Sequence, residues 1–329
     1  MGIAGINLAS GPRLEGSGLA PDAWPIDIRE WAEGCRNPGA HVMSSRKTRE
    51  FLIGGDMPVN RVAFGAMRLS ANGFRGPARD PETGRAVLRR AVGLGINLVD
   101  TAAFYHSGDK TVRANQLIHE ALYPYPSDLV IATKVGHVFD SEGNHRTATG
   151  ADMRRLIEEN LEDLGLDRLD LVYLRIGEMA PPHGESLAER FEALAALHEE
   201  GLIRHLGLSN IDSDHLAEAR AIAPVVAVQN NFHIAKRGDT ALLAICQDEN
   251  IAFSPFFPLG GGIANIDNGR LARIASRHGA TSNQIALAWL LALSPVAIAI
   301  PGTGSIAHLE ENTAAGDIVL TQEDLAELA

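Results

Sequence analysis

The chain has 329 residues, 45% of them hydrophobic, enough to bury the core of one large domain or two ordinary ones. Its 29 basic and 41 acidic side chains leave a formal charge of -12, which argues against nucleic acid and anionic membrane as partners and for a small molecule. Cys35 and Cys246 are too few and too far apart for a disulfide framework or a zinc site, which fits a reducing, cytoplasmic setting and no metal.

In chain order, the opening MGIAGINLAS lacks the basic start and long apolar run of a secretory signal, and no apolar stretch reaches the length of a membrane span. Residues 1–45 carry Gly, Pro and charge without sustained periodicity, and are predicted to be an N-terminal extension outside the fold. Trp24 and Trp31, unusual in a disordered tail, support the rival reading of a docking segment. Residues 46–329 read as one domain, opening with FLIGG and DMPVNRV as a hairpin across its bottom.

Eight apolar runs then follow as buried parallel strands, at 62–65, 96–99, 129–133, 169–174, 205–208, 225–228, 251–254 and 296–300. Helices between them carry their own boundaries. Asp80 and Pro81 start one whose apolar face is Val87, Ala91 and Leu94 and which stops at Gly95. Ser186 and Glu189 have the spacing of a capping box ahead of Leu187, Phe191, Leu194 and Leu197, and Thr281 and Gln284 open another helix in the same way. Strict strand–helix alternation implies parallel strands with right-handed crossovers, and eight such units close a barrel. The predicted fold is therefore an α/β protein, a (β/α)8 TIM barrel. A doubly wound dinucleotide-binding sheet would need a G-x-G-x-x-G turn after a strand, and none is present.

In such a barrel the chemistry sits where strands end. The second strand ends at Asp100 with Tyr105 five positions on, the third at Lys134, and the fourth at Arg175. Reducing a carbonyl requires a hydride donor and a proton donor for the developing alkoxide. A phenol whose pKa of about 10 is drawn toward neutrality by a neighbouring ammonium supplies the proton. Tyr105 would be that acid, Lys134 the ammonium, and Asp100 the carboxylate that holds it.

The segments GINLVDTAAFY, IATKVG, LDLVYL, GLIRHLGLSN, PFFPLGGG and IPGTGSIAHLEEN occur in the order and spacing of the aldo-keto reductase superfamily, which the chain resembles from Phe51 to its C-terminus. The resemblance implies Asp100, Tyr105 and Lys134 as three of a catalytic tetrad, with Arg175 where the family ordinarily has a His. A guanidinium stays charged and only donates hydrogen bonds, so Arg175 would polarise the carbonyl or bind an anionic substrate group. The rival is a fixed ion pair, with Glu178 as the candidate partner, that has replaced the His and left activity weak or lost.

The resemblance also implies NADPH/NADP+ as cofactor. Ser209, Asn210 and Gln229 would hold the nicotinamide carboxamide, and Phe256 would stack on its ring. Pro258, Leu259, Gly260 and Gly262 belong to the loop over the pyrophosphate. Pro301, Gly302, Thr303, Ser305, His308, Glu311 and Asn312 match the adenosine-binding segment. Gly304 and His308 offer no Arg or Lys for a 2′-phosphate, which leaves the hydroxyls of Thr303 and Ser305 and a helix N-terminus.

Within the superfamily, GPARDPETG, EALYPYPSDL, VQNNFHIAKR, PFFPLGG and the Arg in place of His are similar to the pyridoxal reductase branch. That similarity implies reduction of pyridoxal to pyridoxine; independently of it, the side chains of Phe74, His106, His137, Phe232 and His233 could line an aromatic, hydrogen-bonding substrate pocket. Other small aldehydes or ketones are the alternative substrates. A nicotinamide-binding regulatory subunit is the alternative class, and the retained Asp100, Tyr105 and Lys134 favour turnover over it.

Overall fold

The computed structural model describes residues 49–72, 76–139, 145–178, 183–262, 266 and 269–329. The extension read over residues 1–45 and the pocket candidate Phe74 lie outside them.

The chain starts with an antiparallel hairpin, β1 (Glu50–Ile53) on β2 (Met57–Asn60). The barrel strands are β3 (Phe64–Gly65), β4 (Leu98–Asp100), β5 (Val130–Val135), β8 (Leu169–Arg175), β9 (Ile203–Ser209), β10 (Ala227–Gln229) and β11 (Ala252–Phe253), parallel throughout and hydrogen-bonded in that order. A small hairpin, β6 (His137–Phe139) with β7 (His145–Thr147), interrupts them. Residues 296–300 close the circle: Phe253 N donates to Val296 O at 2.9 Å on one side, and Ala63 N donates to Ala299 O at 2.8 Å on the other. All eight strand positions read from the sequence are occupied, and the fold is the (β/α)8 barrel.

The opening hairpin packs at the strands' amino ends. Asp56 in its turn accepts from Arg204 Nη2 at 2.9 Å, and Asn60 N donates to Asn97 Oδ1 at 2.8 Å, next to the starts of β9 and β4. This plugs the barrel's bottom and leaves its other end to the site.

Helix boundaries follow local chemistry in two of three cases. Asp80 caps the helix Pro81–Gly93, accepting from Thr83 N, and Val87, Leu88 and Ala91 are buried. Thr281 and Gln284 form the reciprocal box that opens the helix Ser282–Leu293. The box read at Ser186 and Glu189 is not made. The helix there runs Ala188–Glu199, Ser186 Oγ donates to Glu218 of the neighbouring helix, and Glu189 accepts from Gly150 N at 3.0 Å. Longer-range partners took both side chains, while the apolar stripe at Leu187, Phe191, Leu194 and Leu197 is buried as its period requires.

Strand register assembles the site. Arg175 pairs in register with Ser209, and Ser209 with Gln229, so three polar residues from consecutive strands stand side by side at the carboxyl ends. Behind the next pair of strands, a buried chain of amides ties helices to sheet. Thr101 Oγ1 donates to Asn115 Oδ1 at 2.8 Å, Asn115 Nδ2 to Asn160 Oδ1 at 3.0 Å, and Thr133 Oγ1 to the same Asn160 oxygen at 2.6 Å. Each member is satisfied, so the network stiffens the ends of β4 and β5 at no desolvation cost.

Candidate active site

Asp100 and Lys134 are 4% and 3% exposed, so each charge depends on the other for its stability. Lys134 Nζ donates to Asp100 Oδ1 at 2.6 Å and to the Thr101 carbonyl at 2.9 Å, and Gln229 Nε2 donates to the other carboxylate oxygen at 2.8 Å. The carboxylate is thus fully engaged, and it fixes the ammonium beside Tyr105, 5.0 Å from the ring centroid. Phe104 meets the tyrosine ring edge-on at 5.3 Å.

Two effects oppose each other at Tyr105. Burial, the larger, pushes the phenol above its ordinary value, while the charge and hydrogen bonding of Lys134 pull it down. The balance is upward, against the sequence expectation of a phenol drawn toward neutrality, because the same burial that dries the site also penalises a phenolate. Burial presses Lys134 down as well, but attraction to the Asp100 carboxylate and hydrogen bonding to Asp100 and Tyr105 outweigh it and hold the ammonium charged. The pair is therefore a neutral acid and a permanent cation.

A cleft of about 150 Å³ opens on Asp100 and Tyr105, and Phe256, Pro258, Leu259, Gly262, Pro301 and Gly302 line it. Residues separated by two hundred positions in sequence thus form one wall. Gln229, whose Nε2 holds Asp100, has its Oε1 buried and, among the described residues, without a hydrogen-bond partner, an acceptor suited to a carboxamide N–H. Gly260 is buried with φ 74° in the loop over the cleft. Thr303 Oγ1 accepts from Ser305 N at 3.1 Å, and Ser305 caps the helix Ile306–Ala314 through His308 N. Asn312 is buried on that helix, while the Glu311 carboxylate accepts from Thr281 Oγ1 at 2.6 Å.

Residues 61–329 match the Aldo/keto reductase family. The chain belongs to that family. It is 43% identical over 277 residues to pyridoxine 4-dehydrogenase of Escherichia coli, covering 83% of this chain and 95% of that protein. A Klebsiella pneumoniae aldo-keto reductase solved in complex with NADPH superposes with TM-score 0.70 at 27% identity, over 85% of this chain and 93% of that one. The NADH-specific methylglyoxal reductase of E. coli is 25% identical over 313 residues, 82% of this chain and 93% of that protein. This aldo-keto reductase is accordingly an oxidoreductase of carbonyl and alcohol groups.

Its departure from the family pattern is Arg175. The guanidinium lies 4.6 Å from the Phe256 ring centroid, donates to Ser209 Oγ at 3.3 Å, and donates to the Glu178 carbonyl oxygen. The ion pair with Glu178 that the sequence suggested is not formed, because the Glu178 carboxylate pairs with His145 across the β6–β7 hairpin. Burial lowers Arg175 to about 10, which still leaves it charged at neutral pH. Gly136 makes this placement possible. Its φ is 130°, and a Cβ there would lie 2.0 Å from the Arg175 carbonyl oxygen, so only glycine lets β5 end against β8.

The remaining pocket candidates separate. A cavity of about 430 Å³ beside Lys134 is lined by Phe104, His106, His137 and Phe139 among others. His137 meets Phe104 edge-on at 5.5 Å, and its buried Nδ1 has no hydrogen-bond partner among the described residues. Burial, then the charges of Arg175 and His145, lower its pKa to about 4, so it is neutral at pH 7. His106 Nδ1 donates to Ser107 O at 2.7 Å. Phe232 instead stacks on Trp289 at 6.0 Å in the core, and His233 accepts from Ala235 N at 3.2 Å in its own turn.

Two arginines at and near the cleft carry no motif of their own and went unread in the sequence. Arg68 lines the cleft and donates from Nη2 to Gly261 O at 2.6 Å, and Arg79 lies against Gly304. Both come from the first crossover, between β3 and β4, far in sequence from the segment after residue 300 that they approach in space.

Proposed function

We propose that this aldo-keto reductase uses NADPH to reduce pyridoxal to pyridoxine. The observation that carries the substrate is the charge of Arg175. It stands at the carboxyl end of β8, donating to Ser209 Oγ and a backbone carbonyl and lying over the Phe256 ring, and among the described residues no carboxylate is ion-paired with it. Such a guanidinium suits the ionised 3-oxygen of a hydroxypyridine aldehyde. Neutral His137 adds a buried acceptor without a second positive charge. The similarity to pyridoxine 4-dehydrogenase over nearly its whole length supports the same substrate.

NADPH supplies a hydride to the carbonyl carbon when bound. Ser209, Asn210 and Gln229 are assigned to its carboxamide and Phe256 to its ring. Pro258, Leu259, Gly260 and Gly262 would cover its pyrophosphate, and Pro301, Gly302, Thr303, Ser305, His308, Glu311 and Asn312 would hold its adenosine end. Tyr105 donates its phenolic proton to the carbonyl oxygen as negative charge develops there, Lys134 stabilises the phenolate left behind, and Asp100 keeps Lys134 in place.

The direct test is cofactor oxidation by purified protein. Millimolar pyridoxal should drive it, and ready reduction of simple aldehydes without any reduction of pyridoxal would reject the substrate. Arg175→His separates the residue's two possible targets. It should raise KM for pyridoxal more than for benzaldehyde, since only pyridoxal loses a charge-assisted hydrogen bond of about 1.5 to 3 kcal/mol. Equal effects would assign Arg175 to the carbonyl shared by both.

The direction of the Tyr105 shift sets the pH dependence. A phenol held above its ordinary value of about 10 is protonated throughout the neutral range, so kcat for reduction should be flat between about pH 6 and 9. Oxidation of pyridoxine needs the phenolate and should climb with pH over the same range. A reduction rate that falls with an apparent pKa near 7 would show that Lys134 dominates burial in the loaded enzyme.

A further inference from the structure

The adenosine-binding segment contains no Lys or Arg at Gly304 or His308 to meet a 2′-phosphate. We propose that Arg79, from the segment just ahead of the helix Pro81–Gly93, supplies that cation and sets the preference for NADPH over NADH. This deepens the proposed function and rests on its nicotinamide dinucleotide.

The geometry centres on Gly304. A Cβ at that position would lie 2.7 Å from Arg79 Cζ and 2.8 and 3.0 Å from its two Nη atoms. The guanidinium therefore occupies the volume that a side chain at 304 would fill. The missing side chain and the incoming arginine are one arrangement, with the charge supplied from a different crossover.

Arg79 is held there. Its backbone N donates to Ser70 O at 3.1 Å, and its Nη1 donates to Arg68 O at 3.2 Å. The carboxylate nearest in sequence, Asp80, is taken by Thr83, whose N and Oγ1 donate to Oδ2 at 2.9 and 2.6 Å. Among the described residues no carboxylate pairs with the Arg79 guanidinium, which is half-buried. The guanidinium thus lies beside Gly304, the residue between Thr303 and Ser305, where the helix Ile306–Ala314 begins. A dianionic phosphate there meets a planar fork of N–H groups, which suits it better than a point charge would. Arg68 serves the other part of the cleft, bound to Gly261 O in the loop assigned to the pyrophosphate. The two arginines thus divide the dinucleotide's phosphates between them.

Binding, measured by calorimetry without turnover, tests this. The ligands are NADP+, NAD+, and the fragments adenosine 2′,5′-bisphosphate and 5′-AMP. Arg79→Ala should weaken NADP+ and the bisphosphate by about 10- to 100-fold and leave NAD+ and AMP within about twofold. Arg79→Lys should fall between, since it keeps the charge and loses the fork. Unchanged NAD+ binding in the same variant reports an intact fold. Equal weakening of all four ligands would make Arg79 an adenine or structural contact and overturn the proposal, as would no weakening at all. Wild-type protein that binds none of the four would instead overturn the nicotinamide reading, and this inference with it.

Discussion

Tyr105→Phe is expected to lower kcat by about 10² to 10⁴ while leaving the dissociation constant for NADPH unchanged, the usual contribution of a positioned proton donor. The substitution removes one oxygen from a ring that Phe104 and Lys134 hold from two sides, so the packing survives. What disappears is the proton for the developing alkoxide. The loss should appear in a single-turnover measurement of cofactor oxidation, which isolates the chemical step from product release. Near-normal single-turnover rates would reject Tyr105 as the acid and direct attention to Arg175 as the group that neutralises the oxygen.

Lys134→Met is expected to damage both turnover and stability. Without the ammonium, Asp100 stays in a site where it is 4% exposed, with Gln229 as its remaining side-chain donor. Stranding one member of a buried pair costs about 3 to 5 kcal/mol. For a barrel of this size that lowers the melting temperature by on the order of 10 °C. Adding Asp100→Asn removes the stranded charge, so the double variant should recover most of the stability and none of the turnover. A single variant that melts within about a degree of wild type would show that solvent reaches Asp100 and that the pair is less dry than its burial implies.

The same pair separates what sequence reading reached from what it did not. Asp100, Lys134 and Arg175 are legible because each ends an apolar run, and parallel strands in a barrel bring their carboxyl ends to one rim. The eight runs, the Asp80–Pro81 start and the Thr281–Gln284 box depend on period and on partners within four residues, which a linear sequence displays. By itself, then, the sequence determined the barrel, its family and the polar residues at its rim.

Everything that depends on a partner distant in the chain was decided only by tertiary structure. Ser186 and Glu189 have the right spacing for a cap, but Glu218 and Gly150 compete for them from other helices. Glu178 is three residues from Arg175, and its carboxylate nevertheless goes to His145, because the β6–β7 hairpin folds across it. Arg79 reaches Gly304 across more than two hundred residues, a meeting that barrel closure creates between the first crossover and the last. The shift at Tyr105 has the same origin. Type and spacing name the ammonium beside the phenol, whereas the burial that opposes it is a property of the closed barrel, since desolvation depends on every atom that excludes water from the site.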